Sequence, residues 1–372
     1  MKVLILLTEA FGGYGGIAQY NRDLLTALCA HPDCSEVVAV PRLMPGAAEP
    51  IPEKLDYLAA GIGSKHAYLR TLLRAVCRNR GFDLVVCGHI NLLPLAYFLG
   101  RLRRAPVLLQ VYGIDAWRPT SSALTNALAG RVDAFVSISE VTSQRFRAWV
   151  EPPGVRGFLL PNAVRAERYG PGPKNPVLLQ RYGLAGKTVL MTLGRMWASE
   201  MYLKGFDRVL EALPDLAREI PSIVYLAAGD GDDRSRLMEK ARAMGVADRV
   251  VFPGHINENE KADHYRVADV FIMPSEGEGF GLVFLEAMAC GVPVVASKTD
   301  GGREALRDGT LGILIDPASR EELKAAVHSS LQRPRTVPPG IEHFSFSNFS
   351  RRLHSIVNEV VRFPLADRTP SV

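Results

Sequence analysis

Cysteine is scarce and shows no pairing pattern: the five, Cys29, Cys34, Cys77, Cys87 and Cys290, are odd in number, with no C-x-x-C pair and no nearby histidine at zinc-ligand spacing. A disulfide framework and a structural zinc site are thereby excluded, and reduced thiols in a cytoplasmic protein are expected. Long apolar runs are missing as well. The longest uncharged stretch, Leu84 to Gly100, is interrupted by His89, Asn91 and Pro94, so no transmembrane helix is expected. The N-terminal MKVLILLTEAFGGYGG runs into a glycine loop without a small-residue cleavage site and reads as a first strand rather than a secretory leader. No repeat of solenoid length is visible. Neither sign of charge dominates, but the excess is uneven: residues 1–160 hold 17 Lys and Arg against 12 Asp and Glu, and residues 161–372 hold 27 of each. The first half therefore carries the whole net charge of +5, which suits either contact with something anionic or a plain solvated basic surface.

At 372 residues the chain exceeds the size of one hydrophobic core, and two domains are expected. Short apolar runs without alternation recur between helical patterns: KVLILL, EVVAV, DLVVCG, PVLLQVYG and AFVSIS, then TVLMTLG, IVYLAAG, RVVFPG, VFIMPS and VPVVAS. Runs of this kind are strands buried on both faces, as in parallel sheets, and the spacing leaves room for a crossover helix between most of them. Two doubly wound α/β domains follow, with ligands expected at strand-exit loops. The Pro- and Gly-rich segment Pro161 to Leu184 separates the two sets, which places a boundary near residue 170 and gives domains 1–168 and 169–348. In SNFSRRLHSIVNEVVRF the residues Phe349, Leu353, Ile356, Val357 and Val360 recur at helical spacing, so 349–372 is a last amphipathic helix with a frayed tail.

The most informative segment is PSEGEGFGLVFLEAMACGVPVVAS, Pro274 to Ser297. A strand ends at Pro274, a glycine loop with acids follows, and a helix runs from about Gly281 to Cys290. A helix opened by glycines offers unpaired backbone N–H groups and the positive end of its dipole to a diphosphate. Glu278 in the loop and Glu286 inside the helix, eight residues apart, can then accept hydrogen bonds from sugar hydroxyls on either side of it. In TLGRMWASEMYLKGFDRVLEAL two cations, Arg195 and Lys204, stand on one strand-exit loop, where they can neutralise a diphosphate leaving group. A surface ion pair to Glu200 is the plainer reading of each.

The E-x7-E spacing in EGFGLVFLEAMACGVPVVAS, with Arg195 and Lys204 upstream, resembles glycosyltransferase family 4, the large retaining family with the GT-B fold. The resemblance implies two Rossmann-like parallel-sheet domains facing a central cleft, an acceptor-side first domain, a donor-binding second domain, and a last helix that crosses back to the first. It assigns catalysis to Arg195, Lys204 and Glu278. Donor contacts fall to Gly279, Phe280, Gly281, Leu282, Val283 and Glu286, to Gly229 and Asp230 of LAAGDGDD, and to the backbone around His255 and Ile256. It implies front-face substitution with retention, without an obligatory metal or other cofactor.

In the first half, Gly12-Gly13-Tyr14-Gly15-Gly16 follows a strand, but its spacing is not GxGxxG and no acid ends EVVAV, which argues against a dehydrogenase. By resemblance this loop closes over the donor diphosphate, with Gly16 the residue carried over and Tyr14 beside it on the acceptor side. Many family members have HG-x-D or HG-x-E where this chain has Tyr112-Gly113-Ile114-Asp115, so Tyr112 and Asp115 are acceptor-side candidates, with packing the alternative for Tyr112. His89, with Asn91 beyond it, is another. KHAYLRTLLRAVCRNR sets Arg70, Arg74 and Arg78 along one face and Leu69, Leu72, Leu73 and Val76 on the other, which suits solvated surface or anionic lipid headgroups. The partners implied are a UDP- or GDP-sugar donor of hexose type and a glycan or lipid-linked acceptor, as in cell-surface polysaccharide or glycolipid synthesis. An anionic membrane face is a further one, and nucleic acid is not among them. Rival readings are a GT-B sugar-nucleotide epimerase, a phosphorylase and a non-catalytic nucleotide-sugar-binding module.

Overall fold

The computed structural model describes residues 1–362 apart from 48 and 80. The described residues divide into two compact units, one formed by the part up to Ala163 together with the helix from Phe346 to Arg362, the other by Val164–Ser345, and the frayed tail expected after that helix lies outside the described residues. The crossing points lie a few residues before the expected 168 and 348 for a local reason: Val164 donates its N–H to Phe344 at 2.8 Å and bridges Ser345, so both connections belong to the second unit's edge.

The first unit holds the strands β1 (Lys2–Leu7), β2 (Glu36–Pro41), β3 (Leu55–Tyr57), β4 (Leu84–Gly88), β5 (Val107–Val111), β6 (Ala134–Ser137) and β7 (Arg156–Leu159). They form one parallel sheet in the order β3-β2-β1-β4-β5-β6-β7. The second unit holds β8 (Thr188–Leu193), β9 (Ile223–Ala228), β10 (Val250–Val251), β11 (Val270–Met273), β12 (Val294–Ser297) and β13 (Ile313–Ile315), parallel in the order β10-β9-β8-β11-β12-β13. Helices cover the strands, so a residue such as Val3 to Leu7 in β1 is fully enclosed on either face. Both orders are Rossmann orders, reversing direction between β1 and β4 and between β8 and β11. Loops leaving those strand pairs flank the crevice where such sheets bind ligands. The strands β3, β7 and β13 had not been expected, and each is a short strand at a sheet edge.

The helix Phe346–Arg362 buries the five apolar residues expected of it, against the helix Gly15–Cys29 of the first unit. Phe349 meets Tyr20 edge-on at 5.5 Å, and the His354 ring is bonded to Ala27 O. His354 also packs 4.6 Å from the buried His31 ring. Burial, and then the neighbouring His354, hold the His31 imidazole below its ordinary range. The sign is therefore that of a base kept neutral by the fold: stability is complete above about pH 6.5 and declines as pH falls from there towards the lower folded-state value, because the unfolded chain takes the proton first. We expect the melting temperature to drop between pH 7.5 and 5.5, and the drop to shrink in His31→Asn. Equal drops in both would remove the pair as its cause.

All five cysteines are free thiols, and burial pushes those of Cys29, Cys87 and Cys290 up to about 12. Among the described residues no helix is long and apolar enough to cross a membrane.

Candidate active site

The second unit gathers its chemistry on the loops that leave β8 and β11, either side of the reversal. After Leu193 the chain passes through Gly194 to Arg195, whose guanidinium stacks 4.4 Å above Trp197 and donates to Glu200 at 2.8 Å. Arg195 stays about half exposed, so the anticipated pair to Glu200 exists and leaves donors of the guanidinium facing solvent. Lys204 comes next, just before the helix Phe206–Glu219. That helix is opened by Gly205 at φ +77°, where a Cβ would sit 2.5 Å from Pro274 O, so the β8 loop can close onto the β11 loop only through glycine. Leu203 O accepts from Glu276 N at 3.0 Å and completes the closure.

This packing brings Lys204 Nζ within 2.7 Å of Glu278 Oε2, across 74 residues of sequence. Both side chains are largely enclosed, at 13% and 18% exposure. A pair of this kind fixes a cation and a carboxylate side by side, each with bonding capacity left for a ligand.

Beyond Glu278 the chain turns through Gly281, at φ +91°, where a Cβ would lie 2.3 Å from the Phe284 ring. The helix Leu282–Ala289 begins one residue later than expected. Glycine brings no capping side chain, so the first-turn N–H groups, at half-buried Leu282 and Val283, are presented to whatever anion lies in front. Phe280 packs inward, edge-on to Phe344, and Gly279 presents its carbonyl to the chain at Gly301.

Glu286 behaves differently from Glu278. Its Oε1 accepts from Tyr169 OH at 2.8 Å and Lys261 Nζ at 2.9 Å, and its Oε2 accepts from Tyr265 OH at 2.6 Å. Burial, with the Glu286 charge, drives both tyrosines well above their ordinary range, so they remain donors. Tyr169, Lys261 and Tyr265 were not anticipated from the sequence. Tyr265 stands on the buried stripe of the helix Lys261–Val267 before β11, a legible position, but its partner was not.

The exits of β8, β9 and β10 are laced by backbone. Gly229, at φ +129°, donates to Gly254 O at 3.0 Å, and Met196 N donates to Asp230 O at 3.0 Å. The acids of GDGDD are occupied locally: Asp230 caps Gly231 N, Asp232 accepts from Ala198 N, and Asp233 pairs with Arg236 at 2.6 Å. His255 is exposed on the adjoining loop, and Ile256 is buried beside it.

In the first unit, Tyr14 precedes the helix Gly15–Cys29 and is about half exposed, while a Cβ on Gly15 or Gly16 would meet open space. His89 follows β4; its Nδ1 accepts from Asn91 N at 3.1 Å, and burial, with nearby Arg42, lowers its pKa. Asp115 has one oxygen, Oδ2, shielded from solvent with no partner among the described residues. Burial raises its carboxyl to about 7, opposed by backbone N–H groups around Tyr112 and Gly113. Tyr112 is enclosed, edge-on to Tyr20 at 5.5 Å, with its hydroxyl donating to Asn21 Oδ1 at 2.6 Å. These contacts describe the packing role that the sequence left as its alternative.

A correction concerns the helix Lys65–Arg78, which buries Tyr68, Thr71, Leu72, Ala75 and Val76. At about 100° per residue that stripe leaves Leu69 and Leu73 outside it. They are 41% and 60% exposed and share the outer surface with Arg70, Arg74 and Arg78.

The chain matches two family descriptions in series: Glycosyl transferase 4-like domain over residues 15–163 and Glycosyl transferases group 1 over residues 186–337. It is 33% identical over 225 residues to a GDP-mannose-dependent alpha-(1-6)-phosphatidylinositol monomannoside mannosyltransferase of Mycolicibacterium smegmatis, an alignment that spans 58% of this chain and 58% of that relative. To the enzyme of the same name from Mycobacterium tuberculosis it is 31% identical over 262 residues, 66% of this chain and 67% of the relative. Among solved structures, HepE from Anabaena in complex with UDP-glucose superposes with a TM-score of 0.75 at 20% identity, covering 96% of this chain and all of that one. The two parallel sheets are thus those of the GT-B fold, and the chain belongs to the glycosyl transferases group 1 family, a family of glycosyltransferases.

Proposed function

We propose that the protein transfers a hexose-type sugar, with retention of anomeric configuration, from a nucleoside diphosphate sugar to a glycan or lipid-linked acceptor. The observation that carries this reading is the Lys204–Glu278 pair, set between the exits of β8 and β11 and beside the uncapped start of the helix Leu282–Ala289. Such a place suits a diphosphate at the helix start and Lys204, with the sugar hydroxyls at Glu278. The mannosyltransferase relatives, which are GDP-mannose-dependent, and the neighbour solved with UDP-glucose support a nucleotide-sugar donor. In the step proposed, the bond from the anomeric carbon to the phosphate oxygen breaks and a bond to the acceptor oxygen forms on the same face. The acceptor proton passes to the departing phosphate oxygen, whose growing charge Arg195 and Lys204 stabilise, so no metal is obligatory. Gly229, Asp230, His255 and Ile256 border the nucleotide in this reading, and Glu286 supports the donor site from behind through Tyr169, Lys261 and Tyr265. Gly16 keeps its assignment to the donor diphosphate in this reading, and Tyr14, His89 and Asp115 belong to the acceptor side.

The reaction tests it. With GDP-mannose or UDP-glucose and a phosphoinositide or oligosaccharide acceptor, in excess EDTA, proton NMR should show a product of the donor's anomeric configuration. An inverted product would end the retaining mechanism, and activity lost to EDTA and restored by Mg²⁺ would end metal independence.

A peripheral place on an anionic membrane is part of the same reading. Arg70, Arg74 and Arg78 share their surface with exposed Leu69 and Leu73, and Arg103 of the neighbouring helix Leu93–Arg103 bonds to Val76 O. That second helix exposes Phe98 and Leu102. Basic residues near an anionic bilayer contribute about 1 kcal/mol each, so three correspond to on the order of a hundredfold in partition. In vesicle co-sedimentation the native chain should bind phosphatidylserine-containing vesicles in a salt-sensitive way, and an Arg70, Arg74, Arg78 triple glutamate variant should not. Equal behaviour of the two would favour a soluble acceptor.

A further inference from the structure

One carboxyl group beneath the donor site has no part in the roles above. Asp300 follows β12, in the turn Lys298-Thr299-Asp300-Gly301-Gly302, and its side chain is completely buried. Its Oδ2 accepts from Ser275 Oγ at 2.8 Å and from Glu278 N at 2.9 Å, and its Oδ1 accepts from Gly302 N at 2.9 Å. The next residue returns the contact, since Gly301 N donates to Glu278 O at 2.9 Å. A Cβ on Gly301 would lie 2.1 Å from Gly279 O, so the two loops touch backbone to backbone. Both backbone polar groups of Glu278 are therefore held from the Asp300 turn, while its side chain is held by Lys204. Burial, with Glu278 adding to it, pushes the Asp300 carboxyl up to about 7 against these donors.

We propose that Asp300 is a positioning residue for transfer: by fixing the backbone of Glu278 from below, it sets the Glu278 carboxylate against Lys204 in the orientation that engages the sugar. This rests on the donor-site reading of Glu278 and adds to it the element that aims the carboxylate. Asp300 does not touch substrate. A glycine loop such as Gly277-Glu278-Gly279 has wide conformational freedom, and a buried acceptor at its centre removes that freedom before the donor arrives.

The distinction between positioning and mere support is experimental. Asp300→Ala and Asp300→Asn are compared with the native chain for donor turnover, read as nucleoside diphosphate release from the sugar nucleotide, and for affinity towards the free nucleoside diphosphate. Asp300→Ala should lower kcat by about tenfold or more with the dissociation constant of the diphosphate changed by less than about threefold, as expected when placement rather than binding is lost. Asp300→Asn keeps a carbonyl oxygen for Ser275 and Glu278 and should recover most of the turnover. Because the effect acts through Glu278, neither variant should lower kcat further in a Glu278→Gln background. Parallel losses of kcat and diphosphate affinity, native-like turnover of Asp300→Ala, or an undiminished loss in the Glu278→Gln background would each overturn the proposal. Should Asp300→Ala not fold, Asp300→Asn carries the test alone: its smaller loss must be present in the native background and absent with Glu278→Gln. A native chain that binds and turns over no nucleotide sugar would instead fell the donor-site reading, and this one with it.

Discussion

Glu278→Ala is expected to lower transfer roughly a hundred- to a thousand-fold, the loss of about 2.7–4 kcal/mol that follows removal of a group bonded to the reacting centre in the transition state. Binding of the nucleoside diphosphate should change little. In the proposed donor site the reason is a division of labour between the β8 and β11 loops: the helix start at Leu282 and the cation Lys204 would face a diphosphate, whereas the Glu278 carboxylate is the acceptor group beside them. Removing that carboxylate also leaves Lys204 without its 2.7 Å partner, which makes the lysine a freer counter-ion for phosphate and should preserve or improve product affinity. Steady-state rates together with calorimetric titration of UDP or GDP separate the two effects. A variant that keeps native turnover would remove Glu278 from the site.

Gly229→Ala should be the most damaging conservative change in the loop after β9, which borders the nucleotide in the proposed site. At φ +129° an L side chain is strained by about 1–3 kcal/mol before any contact is counted. The contact is worse: the added Cβ would stand 1.8 Å from Gly194 O, a backbone atom with no freedom to swing away. Either β9 or β8 must shift, and a shift of β8 moves Arg195, which follows Gly194 directly. We expect a destabilisation of several kcal/mol, in the range reserved for buried backbone clashes, together with a loss of nucleotide affinity. Thermal unfolding and nucleotide titration of the variant check both, and an unchanged melting temperature would mean that the loop yields elsewhere.

How far the sequence could be read follows from the range of the forces involved. The central strands were legible because each is enclosed on both faces and so must be a continuous apolar run; KVLILL and IVYLAA admit no other reading. Three of the four edge strands, β3, β7 and β13, carry no such mark. Of β3 only Leu55 is buried, and in β7 half-covered Arg156 and Phe158 alternate with residues as different as Gly157 and Leu159, so neither stands out from a loop. The final helix was legible from five residues at helical spacing, all of which the structure buries.

Within the site, E-x7-E located the loop and helix, yet it could not tell the two glutamates apart. Their difference depends on Tyr169 and Lys204, which approach from 117 and 74 residues away. Tyr112 was ambiguous for the same reason, because Asn21, the acceptor for its hydroxyl, is 91 residues distant. Leu69 and Leu73 show the opposite limit. Periodicity assigns a helix its apolar side, but a stripe of five buried residues is narrower than the apolar set, and which leucines fall outside it is decided by the surface the helix lies on. Asp300 carried one signal, an acid at a strand exit followed by two glycines, though its attachment to Glu278 is tertiary.

The most direct test of a donor site on the β8 and β11 loops is thermal unfolding in the presence of UDP, GDP, ADP and their hexose conjugates. A ligand at a hundred times its dissociation constant adds about 2.7 kcal/mol of stability to the state that binds it. One nucleoside diphosphate and its sugar should raise the melting temperature of the native chain, with the diphosphate shift retained in Glu278→Ala. No shift with any of these ligands, at concentrations up to about 1 mM where cellular donors would saturate such a site, would contradict it.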